Sequence, residues 1–168
     1  PSSAASDVYK RQFLMRVPRR IAIDTGVWVE SIAMGSEYYQ LARAIRDLVE
    51  QGRIIALITP LTATEVLYVS YRVFREANLD ESESMERARR FFDLLYTLRN
   101  IRVLIDHQIA QEAALIKLKY NLALSDCYLL AVAKLNHVPA LFRHVEREME
   151  GIINELRSEV EVYFLSEF

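Results

Sequence analysis

What most constrains this chain is an alternation. Short runs made mostly of apolar residues, at 21–23, 54–58, 101–105, 139–142 and 160–165, are separated by longer stretches with apolar residues at helical spacing. Runs this short are not helices, and a run apolar at successive positions has no polar face to give to water. They read as strands buried on both sides. Helices between consecutive strands make the connections crossovers, which join parallel strands and cover both faces of the sheet. The expected fold is α/β, a three-layer α/β/α sandwich around a mostly parallel central sheet.

The helical stretches carry their own boundaries. Leu41, Ile45, Leu48 and Val49 mark a helix over 38–50, and Gly52 stops it. Thr59-Pro60 reads as a cap with proline in the first turn, opening a helix that runs to about Ala77. The polar stretch 78–84 predicts a turn, and Met85, Ala88, Phe91, Phe92 and Leu95 predict an amphipathic helix over 83–98. Further helices are expected over 108–120, 125–136 and 144–156. Asp24-Thr25-Gly26 reads as the loop that ends the first strand.

With 168 residues, four glycines and four prolines, the chain has room for one ordinary core and none for a long flexible linker. Residues 7–12 read DVYKRQ, which back-translates to a transposon end of the kind used to prepare sequencing libraries. Residues 1–12 are therefore read as translated adaptor, with native sequence starting near Phe13 or Met15 and a single domain over 13–168. A lone cysteine, Cys127, makes no internal disulfide and suits a reducing compartment. No apolar run has the length of a membrane helix and no secretory signal pattern is evident, so the expected location is cytoplasmic, away from membranes. The net charge of −2 argues against holding nucleic acid by bulk charge.

In folds of this class functional groups gather beyond the carboxyl ends of the strands. Asp24 follows the first strand, Glu65 lies early in the helix after the second, Asp126 starts a later apolar helix, and Glu146 follows the fourth run. Each has an ordinary explanation: Asp24 as a helix cap, Asp126 as a complement to the helix dipole, Glu146 as one of a solvated run with Glu148 and Glu150. Glu65 is harder to place, because Leu61, Ala63, Val66, Leu67 and Val69 leave it little polar surface. Taken together, carboxylates crowded at one end of a sheet repel, and a divalent cation resolves the repulsion. Oxygen-only donors favour Mg²⁺ or Mn²⁺ over Zn²⁺, which is the setting of metal-assisted phosphodiester hydrolysis. No zinc-spaced Cys/His cluster, nucleophile elbow, dinucleotide fingerprint or P-loop competes with this. Among the three histidines, His107 and His137 are expected at element ends, and His144 stays a candidate through its nearness to Glu146.

At these four places the sequence resembles the PIN-domain ribonucleases, and within them the VapC-like toxins of type II toxin–antitoxin pairs. Asp24-Thr25-Gly26-Val27-Trp28 looks like the family's opening motif, Thr62-Ala63-Thr64-Glu65-Val66 its helix-borne glutamate, and Leu124-Ser125-Asp126-Cys127 its third acid. The fourth motif departs from the pattern. His144 stands where threonine is usual, and Glu146 is aligned with the aspartate because Met149 then takes the apolar place three residues on; Glu148 is the alternative. The resemblance implies a Mg²⁺- or Mn²⁺-dependent endoribonuclease. Asp24 and Asp126 would be the principal ligands, Glu65 and Glu146 would complete the set, and Thr25 and Ser125 would orient carboxylates from behind. It also implies an RNA substrate, a small antitoxin partner and a homodimer. The altered fourth motif supports a rival: a catalytically weakened PIN-like module that binds RNA or a protein. A phosphatase of the haloacid dehalogenase type wants a second aspartate two residues after Asp24, where this chain has Gly26.

An acidic site needs cationic help to hold RNA. Arginine outnumbers lysine 17 to 4, and Arg72, Arg75, Arg87, Arg89, Arg90 and Arg99 concentrate in the middle of the chain. Arg89 and Arg90 are the expected phosphate contacts, against the alternative of a solvated face with pairs four residues apart.

Overall fold

The computed structural model describes residues 17–168, so the adaptor-like 1–12 and the start near Phe13 lie outside the described residues. Five strands, β1 (Arg20–Ile23), β2 (Ile55–Ile58), β3 (Ile101–Val103), β4 (Ala140–Phe142) and β5 (Val162–Phe164), form one sheet in the order β3-β2-β1-β4-β5. Every neighbouring pair is parallel. The helices are α1 (Thr25–Glu30), α2 (Tyr39–Glu50), α3 (Pro60–Glu76), α4 (Glu81–Thr97), α5 (His107–Tyr120), α6 (Leu124–Asn136) and α7 (Ile153–Glu159). No helix among the described residues is long and apolar enough to cross a membrane.

Alternation along the strands splits the interior into two cores. Ile21, Ile23, Ala56, Ile58 and Leu141 join a core with Trp28 of α1, Ile45 of α2, Val66 of α3 and Leu95 of α4. Ala22, Leu57, Ala140, Phe142, Val162 and Phe164 face the other side, under Ile116 of α5, Leu156 of α7 and the wholly buried run Leu129–Ala133 of α6. Both faces are covered, which is why the strands are apolar apart from exposed Arg20 at the start of β1 and Arg102 in the edge strand β3.

The order of the strands decides where a ligand can sit. From β1 the chain steps outward through β2 to β3, then returns past its starting point to lay β4 on the other flank of β1. The reversal between β1 and β4 opens a crevice at their carboxyl ends. The Asp24 N–H donates to the Leu141 carbonyl at 3.0 Å as these strands finish.

Three local expectations need correction. The loop read at 24–26 is the start of α1, because the Asp24 side chain caps a helix beginning at Thr25. The turn read over 78–84 stops at Asp80, whose carboxylate accepts the Glu83 N–H at 2.8 Å and opens α4 at Glu81. The helix expected over 144–156 is confined to 153–159. Val145, Met149 and Ile152 repeat at helical spacing, but the chain between them closes four-residue turns, Met149 N–H to Glu146 O and Ile152 N–H to Met149 O.

Candidate active site

β1 delivers Asp24 to the crevice. The strand's last apolar residue is followed by an extended N-cap, and the Asp24 carboxylate turns back to accept the Gly26 N–H at 2.8 Å. Half-buried there, its carboxyl is pushed up to about 6. Burial is the main cause, opposed by the Gly26 and Thr25 N–H groups and aided by the charges of Glu65 and Glu146. Thr25, the next residue, donates its hydroxyl to Glu65 Oε2 at 2.8 Å, tying α1 to α3 across 40 residues of sequence.

Glu65 reaches this point because α3 starts where β2 ends. The Thr59 hydroxyl accepts the Thr62 N–H at 3.2 Å, Pro60 occupies the first turn, and Glu65 follows about one turn later. Asp126 stands in the first turn of α6, whose next residues sink into the core. Its carboxyl is pushed up to about 8, first by burial and then by Asp24, Glu65, Glu146 and Glu148. Glu146 and Glu148 lie on the loop after β4, pinned by Met149, which is fully buried in the core beneath α6.

These acids meet. Asp24, Glu65, Asp126, Glu146 and Glu148 all line one cleft of about 420 Å³, together with Thr25, Gly26 and Arg147. Glu146 pairs with His144 at 3.4 Å, whereas Asp24, Glu65, Asp126 and Glu148 have no ion-pair partner among the described residues. Like charges in a partly desolvated cleft raise one another's affinity for protons, and that is the direction seen at Asp24 and Asp126. A hard divalent cation is the chemical complement of such an all-oxygen set. As the side chains lie, no three Asp, Glu, His or Cys among the described residues form a ready metal cage. The donor types suit the ion; holding it requires the side chains to draw together.

The remaining predicted residues are placed elsewhere. Ser125 lines an adjoining apolar depression with Leu61, Tyr68 and Leu124, and makes no hydrogen bond to the acids among the described residues. Arg89 and Arg90 lie on the outer face of α4 beside Glu81, Glu86 and Asp93, with Arg90 paired to Glu86, and neither lines the acidic cleft. His107 begins α5 and His137 closes α6. Arg147, which does line the cleft, was missed; an arginine set between Glu146 and Glu148 was the available signal.

Residues 21–145 match the PIN domain family. The chain belongs to that family. PIN domains are in general nucleases, and Asp24, Glu65 and Asp126 fall inside the matched segment while Glu146 is the first residue beyond it. No curated protein matches the sequence. Among solved structures, this PIN domain is similar to a toxin–antitoxin complex from Klebsiella pneumoniae, with a TM-score of 0.54 and 19% identity over 86% of this chain and 97% of that one. It is also similar to VapBC2 from Rickettsia felis bound to a DNA fragment from its promoter, with a TM-score of 0.58 and 9% identity over 86% of this chain and 98% of that one. At these identities the likeness is one of fold: a VapC-like PIN architecture.

Proposed function

We propose that this PIN domain, over 13–168, is a Mg²⁺- or Mn²⁺-dependent endoribonuclease and the toxin of a toxin–antitoxin pair. One observation carries the reading: four separate elements bring five carboxylates to one cleft at the switch point, four of them without an ion-pair partner among the described residues. Asp24 and Asp126, whose carboxyls are both pushed up, are the principal ligands, and Glu65 and Glu146 complete the set. A divalent ion held there supplies Lewis acidity toward phosphoryl oxygens and makes water nucleophilic at neutral pH. Thr25 fixes the Glu65 carboxylate through its hydroxyl, and the Gly26 N–H does the same for Asp24. Ser125 is proposed to turn toward Asp126 when the side chains close. A small antitoxin as partner is supported by the two fold neighbours, one a toxin–antitoxin complex and the other VapBC2. A homodimer and a cytoplasmic location belong to the same proposal.

The test is RNA cleavage with Mg²⁺ or Mn²⁺ by the wild type, Asp24→Asn and Asp126→Asn. Each substitution is expected to lower the rate by more than the roughly 10–100-fold that losing an outer-shell partner costs a metal site. Equal rates in all three overturn the assignment. The absence of a ready metal cage favours a second reading, a weakened PIN module that binds RNA or protein without cutting. Calorimetric titration with Mn²⁺ separates the two: no Mn²⁺ binding, with RNA binding intact, selects the second.

A further inference from the structure

We propose that Arg143 grips an RNA phosphate beside the acidic cleft and that the buried carboxylate of Glu30 holds it in position; this deepens the nuclease reading and rests on it. Glu30 is the last residue of α1 and only 3% exposed. A carboxylate buried in an apolar helix is costly unless both oxygens find partners. Oε1 accepts the Tyr38 N–H at 2.9 Å, and Oε2 lies 3.2 Å from Arg143 Nε.

Arg143 is the residue immediately after β4, and its side chain is 47% exposed. Its Nε is the atom placed against Glu30, and neither Nη group makes a hydrogen bond among the described residues. A guanidinium carries five donors, so the fork that matches a phosphate is left over after the anchor is made. Its position is set by Gly26. A Cβ at that glycine would stand 3.0 Å from Arg143 Cβ and 3.1 Å from Asp24 Oδ2, so the arginine stem and the first acid flank the same residue. Gly26 itself lines the cleft.

Among the described residues, no other arginine beside the cleft combines these properties. Arg90 is spent on Glu86. Arg147 lines the cleft from an exposed loop and has no carboxylate anchor among the described residues. An anchored guanidinium loses less freedom when it binds, which is the advantage of a fork held in advance. Beside a cluster of acids that repels RNA, such a fork offers attraction next to the repulsion, and it selects for a phosphodiester that lies across β4.

The experiment measures binding of a single-stranded RNA oligonucleotide by fluorescence anisotropy across a salt titration, with Mg²⁺ present and in an Asp126→Asn background so that RNA is held uncut. Arg143→Gln is expected to weaken binding about tenfold and to reduce the slope of log affinity against log salt by about 0.7, the share of one phosphate contact on a single strand. Arg143→Lys restores the slope but only part of the affinity, and Glu30→Gln lowers affinity with the slope kept. If Glu30→Gln does not fold, the two Arg143 variants decide alone. A lower Tm in Arg143→Gln with unchanged affinity and slope overturns the proposal, because the pair is then only structural. Cleavage by the chain with Asp126 restored separates the readings. If it cuts RNA regardless of Arg143, the grip falls and the nuclease stands. An Arg143-dependent slope without any cutting leaves the grip and removes the nuclease. Absence of both RNA binding and cleavage overturns both.

Discussion

Asp126 works against the fold that holds it. Its carboxyl is pushed up to about 8, so the folded chain keeps a proton that the unfolded chain releases near 4. A group whose folded pKa is raised in this way destabilises nothing below pH 4, and its cost grows as pH climbs toward 8. With a chelator present, Tm should therefore fall between pH 5 and pH 8.5. Asp126→Asn should remove part of that fall and gain on the order of 3 °C at pH 8 while cleavage is lost, a trade read directly by thermal unfolding and a nuclease assay. Asparagine is also the informative change at Asp24, because it still caps α1, whereas alanine adds about 1 kcal/mol of lost cap. Gly26→Ala makes the complementary point. Alanine is the better helix former by about 1 kcal/mol, yet its Cβ would press on both Asp24 and Arg143. Tm is expected to hold within about 2 °C while the cleavage rate drops about tenfold or more.

Elements are held by contacts that the acids of the cleft do not share. Glu159, the last residue of α7, accepts Lys119 Nζ at 2.5 Å and Tyr120 Oη at 2.6 Å from α5, and Lys134 Nζ at 3.1 Å from α6. Led by Lys119, these partners hold its carboxyl down at about 2. The sign is opposite to that of Asp126: this stability is present above about pH 4.5 and is lost as pH falls toward 2. Glu159→Gln should lower Tm by a few degrees at pH 7 and converge with the wild type near pH 2, as circular dichroism melts would show. Strands and long helices were legible in the sequence because burial on two faces, or on one stripe, leaves a period. α1 was not, since six residues are too few to show one, and its cap is the same aspartate that reads as a site. The 144–152 stretch misled for the opposite reason: Val145, Met149 and Ile152 mimic a helix stripe, but only Met149 is fully buried, and turns suffice to bury it. The acids were readable from their places after strands. The Glu30–Arg143 pair was not, because nothing in one sequence says which arginine a buried glutamate will find.

Across the whole molecule, net charge says little and its placement says more. The −2 total conceals a cleft lined by five carboxylates and one arginine, while seven glutamates of 144–168 stand against Arg147 and Arg157. Mn²⁺ is expected to raise Tm by mass action, and to do so more at pH 8 than at pH 5.5, because the ion must displace protons from Asp24 and Asp126. An equal or absent shift at both pH values, followed by differential scanning fluorimetry, counts against a metal in this cleft. The crossing-back of the chain after β3 has a further consequence. Asp24 and Glu65 come from the first half of the sequence, Asp126, Glu146 and Glu148 from the second, and β1 and β4 are the neighbours that bring them together. A ribosome that has made only the first hundred residues has made two of the five acids, and a protease cut between α4 and α5 leaves neither fragment with the set. The acidic cleft is thus all-or-none: no contiguous half of the chain carries the full set, and the pairing of β4 with β1 is what assembles it.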